Sequence, residues 1–207
     1  MTDEINETPI QRALRLKKQA LDAKPKPPRG GRFQREQAAA YGALAAMRLD
    51  LMQAGGDGAE FGKLEQAKTR QDFLAAAQLL RDIPGGNGRL GVVGFCYGGS
   101  MANFLATQMP DLAAAVPFYG SGPALEDVPK IKAELLVVHA SNDERINTAW
   151  PAYEAALQQA GVRYSHYKPD NTQHGFHNDT TPRFDAAAAK LAWERTLRFF
   201  RQHLPPA

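Results

Sequence analysis

The chain has a single thiol, no long apolar run and little excess charge. Cys96 is the one cysteine among 207 residues, which excludes an intrachain disulfide framework and makes a reducing compartment, the cytoplasm, the expected setting. No stretch of about 18 apolar residues occurs and no apolar signal-peptide core is found, so the chain reads as soluble, with no membrane partner. Lys and Arg number 25 against 22 Asp and Glu, and the resulting net charge of +3 is too mild to argue for nucleic acid. A phosphate loop and a full dinucleotide fingerprint are both missing, so no cofactor is expected. Internal repeats are absent as well.

What is present suits one globular domain, at 43% hydrophobic and 23% charged residues. Residues 1–40 read as a basic arm that is solvated, partly helical or disordered: K-P-K-P-P-R-G-G-R cannot be a central strand, and Ile10, Leu14 and Leu21 offer only a weak apolar stripe. Residues 41–207 read as the folded core, beginning with an ambiguous apolar segment, 41–52. From there helical and strand patterns alternate, which predicts an α/β fold with a mostly parallel sheet. Helices are predicted over 63–83, 100–109 and 148–160, and a closing helix from Thr181-Pro182 to Gln202. Strands are predicted over 90–93, 112–119, 134–140 and 162–168.

One hexapeptide carries most of the chemistry. Gly94-Phe95-Cys96-Tyr97-Gly98-Gly99 follows an apolar run and precedes a helical one, the context of a strand–turn–helix nucleophile elbow with cysteine as the nucleophile. At a helix N-terminus the dipole and free N–H groups favour a thiolate. The alternative for such a residue is a buried core cysteine. An acid and a histidine should then follow in chain order. Asp143 lies in the polar turn S-N-D-E-R after the strand 134–140, and His174 lies in the loop P-D-N-T-Q-H-G after the strand 162–168. All three sit past strand C-termini, where open parallel sheets place their sites. His174 and His177 form an H-x-x-H pair, but a Gly-Phe loop with too few further ligands argues against zinc, so no metal is expected. His139 reads as a satisfied, partly buried histidine, and Trp150 and Trp193 as core.

The segments G-V-V-G-F-C-Y-G-G (91–99), A-A-V-P-F-Y-G (114–120), N-D-E-R-I-N (142–147), H-G-F-H-N-D-T-T-P-R (174–183) and A-W-E-R-T-L-R-F-F (192–200) resemble the dienelactone hydrolases, the cysteine branch of the α/β-hydrolases. The resemblance runs from about Tyr41 to Leu204. It implies an α/β-hydrolase fold, a triad of Cys96, Asp143 and His174, an oxyanion donor at the Tyr97 N–H, and hydrolysis of an ester or of an enol-lactone such as dienelactone. Tyr119, Phe176 and Arg183 are the candidate contacts for this small-molecule substrate, Arg183 having pairing with Asp185 or another surface acid near the final helix as its alternative role. Two departures stand out. The strand and H-E-N-R-G loop that family members carry early in the chain are not found in residues 1–40, which makes the fold N-terminally incomplete or altered and removes half the expected oxyanion hole. The arginine that reads a carboxylated lactone shortly after the histidine is replaced near Asn178. The alternative function is therefore a non-catalytic or truncated derivative of the fold, and a homodimer is expected to cover exposed sheet edges.

Overall fold

The computed structural model describes residues 65–82 and 87–204; the arm 1–40, the apolar segment 41–52 and the question of an early strand lie outside the described residues. Three largely apolar runs and the more polar Tyr-Ser-His-Tyr segment form one parallel sheet in the order β1 (Leu90–Phe95), β2 (Leu112–Phe118), β3 (Glu134–Val138), β4 (Tyr164–Tyr167). The helices are α1 (Gln66–Arg81), α2 (Tyr97–Gln108), α3 (Glu144–Gln159) and α4 (Ala186–His203), and a short 3-10 turn spans Leu125–Lys130.

Alternation along the strands feeds two apolar layers. Leu135 and Val137 join Met101, Leu105, Trp150 and Leu157 on the face covered by α1, α2 and α3. Leu136 and Val138 join Val116, Phe118, Ala189, Ala192 and Phe200 on the face covered by α4. The strands end level, because Phe95 pairs with Phe118, Phe118 with Val138, and Val138 with Tyr167. The next amides continue the ladder: Cys96 N–H donates to the Phe118 carbonyl at 3.0 Å, Tyr119 N–H to Val138 at 2.7 Å and His139 N–H to Tyr167 at 2.9 Å. Loops leaving this even carboxyl edge therefore start side by side.

Two helix starts differ from the sequence expectation. Helix α3 begins at Glu144 rather than Thr148 and carries Pro151 inside it. The closing helix begins at Ala186 rather than at Pro182, because Asp185 Oδ1 accepts from Ala188 N–H at 2.9 Å and caps it, while Thr181 and Phe184 form turns ahead of it. Asp185→Ala is expected to cost about 1 kcal/mol, read as a lowered urea midpoint with unchanged slope. Among the described residues, no helix is long and apolar enough to cross a membrane.

Candidate active site

Cys96 follows β1 directly and takes φ 55° and ψ −117°, a left-handed conformation that an L-residue adopts at a cost. That turn exposes the sulfur at the head of α2. The glycines around it are not equivalent. A Cβ at Gly94 would lie 1.9 Å from the Gly98 carbonyl oxygen, whereas one at Gly98 would meet nothing within 4 Å. The crowded partner on the helix side is Gly99, whose Cβ would lie 2.4 Å from the Phe118 carbonyl oxygen. Facing it, a Cβ at Gly120 would come within 2.3 Å of Ser100 N. The motif's second glycine is thus open, and the glycine after it is the one the fold requires.

The acid and the histidine arrive on loops that are zipped together. Asn142 and Gln173 form a parallel bridge, Asn142 N–H donates to the Thr172 carbonyl at 2.8 Å, and the Ser141 and Thr172 hydroxyls each accept the other residue's N–H, at 3.0 and 3.2 Å. Thr172 is buried. Asn147 Nδ2 donates to the Ala140 and Ser141 carbonyls at 2.9 and 3.1 Å, which holds the acid loop from the helix side. Sequence reading missed this clasp; polar residues after two strand ends were its only trace.

The result is a continuous chain of contacts. His174 Nε2 is 3.1 Å from Cys96 Sγ, and His174 Nδ1 is 2.6 Å from Asp143 Oδ2. Asp143 is buried and stands at the N-cap position of α3 without capping it, its carboxylate being turned to the histidine. The Cys96 thiol is held below the ordinary range, first by its hydrogen bond with His174, against the opposing effect of burial, and further by the imidazole's charge, the Tyr97 N–H and the Arg145 charge. His174 is held above the ordinary range, first by the same bond to Cys96, with Asp143 adding to it against burial. Both shifts favour a thiolate–imidazolium pair.

Tyr119 and Phe176, expected as substrate contacts, are 2% and 0% exposed. Tyr119, at φ 36°, packs its ring 4.9 Å from the His174 ring, and Phe176 packs against Tyr119 and Phe118. Arg183 is exposed and reaches back over the histidine loop: a Cβ at Gly175 would lie 3.7 Å from Arg183 Nη2. Of its alternative partners, Asp185 is engaged as the α4 cap. His177 turns to Phe95, Phe118 and Trp193, away from His174. His139 is buried, lies 3.2 Å from His166 Nε2 and is pushed down to about 4 by burial and by the neighbouring His166. Among the described residues, no three His, Cys, Asp or Glu side chains gather as metal ligands.

The model of the dienelactone hydrolase family matches residues 50–204. A Saccharolobus solfataricus protein provisionally named carboxymethylenebutenolidase is 32% identical over 154 residues, covering 70% of this chain and 57% of the relative. The protein usf of Aquifex pyrophilus is 32% identical over 129 residues, covering 56% of this chain and 52% of the relative. The chain spans about half the length of such curated relatives. A crystal structure from Klebsiella pneumoniae, provisionally described as a dienelactone hydrolase, aligns with a TM-score of 0.62 at 25% identity, covering 69% of this chain and 64% of that one.

Proposed function

The chain belongs to the dienelactone hydrolase family and has its α/β-hydrolase fold, and on that premise we propose that it hydrolyses an ester or enol-lactone through an acyl-enzyme on Cys96. The observation that carries this reading is the contact chain from Cys96 Sγ through His174 to Asp143, at 3.1 and 2.6 Å. The Cys96 thiolate adds to the substrate carbonyl, and the Tyr97 N–H stabilises the oxyanion that forms. Collapse of the tetrahedral intermediate breaks the ester C–O bond, and the His174 imidazolium gives its Nε2 proton to the leaving oxygen. Neutral His174 then takes a proton from water, hydroxide adds to the thioester, and the carboxylic acid departs as the thiolate is regenerated. Asp143 keeps the Nδ1 proton in place, so that Nε2 always faces the sulfur. A thiolate is itself easily expelled, so the site suits substrates whose leaving oxygen is better still, such as an enolate. Arg183, reaching over Gly175 beside the histidine, is a candidate contact for a substrate anion. A reactive, exposed thiolate also fits a reducing compartment such as the cytoplasm.

The pH dependence of Cys96 alkylation by iodoacetamide tests the pair without any substrate. With the thiol shifted down and the imidazole shifted up, the thiolate persists below the usual thiol pKa of about 8.5 and is lost only as pH falls through the lowered value. In His174→Ala the main cause of the lowering is gone, so the midpoint is expected to move up by at least about one pH unit towards 8.5. An ordinary thiol profile in the unmodified protein would instead support a non-catalytic derivative of the fold.

A further inference from the structure

The loop after β2 leaves the sheet with no ladder to hold it. Tyr119 N–H makes the last strand bond, to Val138, and residues 120–124 belong to no helix or strand. The Ser121 backbone is held instead by two side chains of α2, three residues apart on one face. Its N–H donates to Ser100 Oγ and its carbonyl accepts from Asn103 Nδ2, both at 2.9 Å. Asn103 is 1% exposed, in a helix whose other buried residues include Met101, Leu105 and Ala106. An amide so placed is costly unless its polar atoms are used.

Both ends of this amide are used. A carbonyl can only accept, so the Ser121 bond fixes the amide's orientation, and Tyr153 OH, 3.1 Å from Asn103 Oδ1, is the donor. Tyr153, in α3, is 4% exposed, and burial pushes its phenol above the ordinary range, which keeps the proton on it. Its ring also lies against the loop, since a Cβ at Gly122 would come within 3.0 Å of Tyr153 Cδ1. Two helices therefore grip the root of the loop at Ser121 and Gly122.

The gripped root adjoins the chemistry. Tyr119, two residues before Ser121, holds φ 36°, a conformation that a tyrosine keeps only where its surroundings impose it. Its ring stands 4.9 Å from the His174 ring. We propose that Asn103 is a positioning residue of the site: by fixing Ser121 it fixes Tyr119, and through that ring it keeps His174 Nε2 aimed at Cys96 Sγ. Its effect on turnover rests on the hydrolase reading; its effect on the thiolate does not.

The test compares the unmodified full chain with Asn103→Ala, Ser100→Ala, Tyr153→Phe and Thr107→Ala. Thr107 is the control, being buried in the same helix but bonded to Phe104 and Gln108 of that helix. In Asn103→Ala the pH midpoint of Cys96 alkylation by iodoacetamide is expected to rise by about half a unit, a roughly three-fold loss of thiolate below it, because a looser His174 supports the thiolate less. The kcat for 4-nitrophenyl acetate is expected to fall about ten-fold with KM changed less than about two-fold, since a misaimed imidazole slows the reaction and not the binding of a neutral ester. Ser100→Ala removes the other hold on Ser121 and should move both readouts the same way by a smaller factor. Tyr153→Phe keeps the Ser121 bond and should move them less than Asn103→Ala. Thr107→Ala is expected to lower the urea midpoint and to leave both readouts in place. Readouts unchanged in Asn103→Ala, or shifted equally in Thr107→Ala, overturn the proposal; where Asn103→Ala does not fold, Ser100→Ala decides by the same criterion. If the unmodified chain does not turn over the ester while the alkylation midpoint still rises in Asn103→Ala, the hydrolase reading fails and the positioning role stands. If the ester is turned over with one kcat and one midpoint in every variant, the positioning role fails and the hydrolase reading stands.

Discussion

Cys96→Ala is expected to lower hydrolysis of 4-nitrophenyl acetate by roughly a thousand-fold or more, with the fold intact. The size follows from what the sulfur does. Without it no acyl-enzyme can form, and what remains is water attack assisted by His174 and the Tyr97 N–H. Alanine removes no buried contact, because Cys96 is exposed and its backbone N–H and carbonyl, not its side chain, tie β1 to β2 and to Ser100. Cys96→Ser should also lose most activity, since a hydroxyl does not ionise beside an imidazole as a thiol does, and the resting ion pair disappears. Stopped-flow release of nitrophenolate gives the rate, and the denaturation midpoint separates chemistry from folding. An alanine variant that kept more than about a tenth of the rate would place the nucleophile elsewhere.

The second large effect concerns two glycines two residues either side of the nucleophile. Gly94→Ala is expected to destabilise the fold by about 3 kcal/mol or more, beyond the usual cost of overpacking, because the new methyl would meet backbone and not a side chain that can turn away. The nearest atoms are the Gly98 carbonyl oxygen at 1.9 Å and its carbon at 2.2 Å, both fixed by the first turn of α2. Gly98→Ala should do the opposite: nothing lies within 4 Å of its Cβ, it sits inside a helix, and alanine gains about 0.5–1 kcal/mol there by restricting the unfolded chain. Urea midpoints of the two variants decide the matter. Equal losses in both would mean that the elbow demands glycine at each position for its backbone angles rather than for space.

The site could be read from the chain only in part. The elbow was legible because Gly94 to Gly99 sits between an apolar run and a helical one, and both neighbours matched the pattern a sharp turn needs. The tight position on the helix side was not legible, since Gly98 and Gly99 look alike until the Phe118 carbonyl is placed beside one of them. Asp143 and His174 could be picked out because each lies in a polar loop past a strand end. The Ser141–Thr172 clasp between those loops could not be read, because it joins residues 31 apart whose types occur in any loop. Proline misled at the closing helix: Pro182 mimics a first helical turn, whereas Asp185 sets the actual start. Tyr119 and Phe176 are buried, the Tyr119 ring against His174 and the Phe176 ring against Tyr119, a stacking that the sequence did not show.

The clasp has a further consequence, for how loops of this chain can change length. Acid and base are usually pictured as two independent arrivals at a nucleophile, each free to drift. Here Asn142 and Gln173 make them one ribbon, so an added residue between His139 and Asp143 would drag His174 with it unless a matching residue entered between Lys168 and His174. Insertions should therefore be tolerated in pairs and rejected singly, and the freedom to reshape the rim passes to segments outside the ribbon: the turn after β2 and the stretch from Asn178 to Phe184.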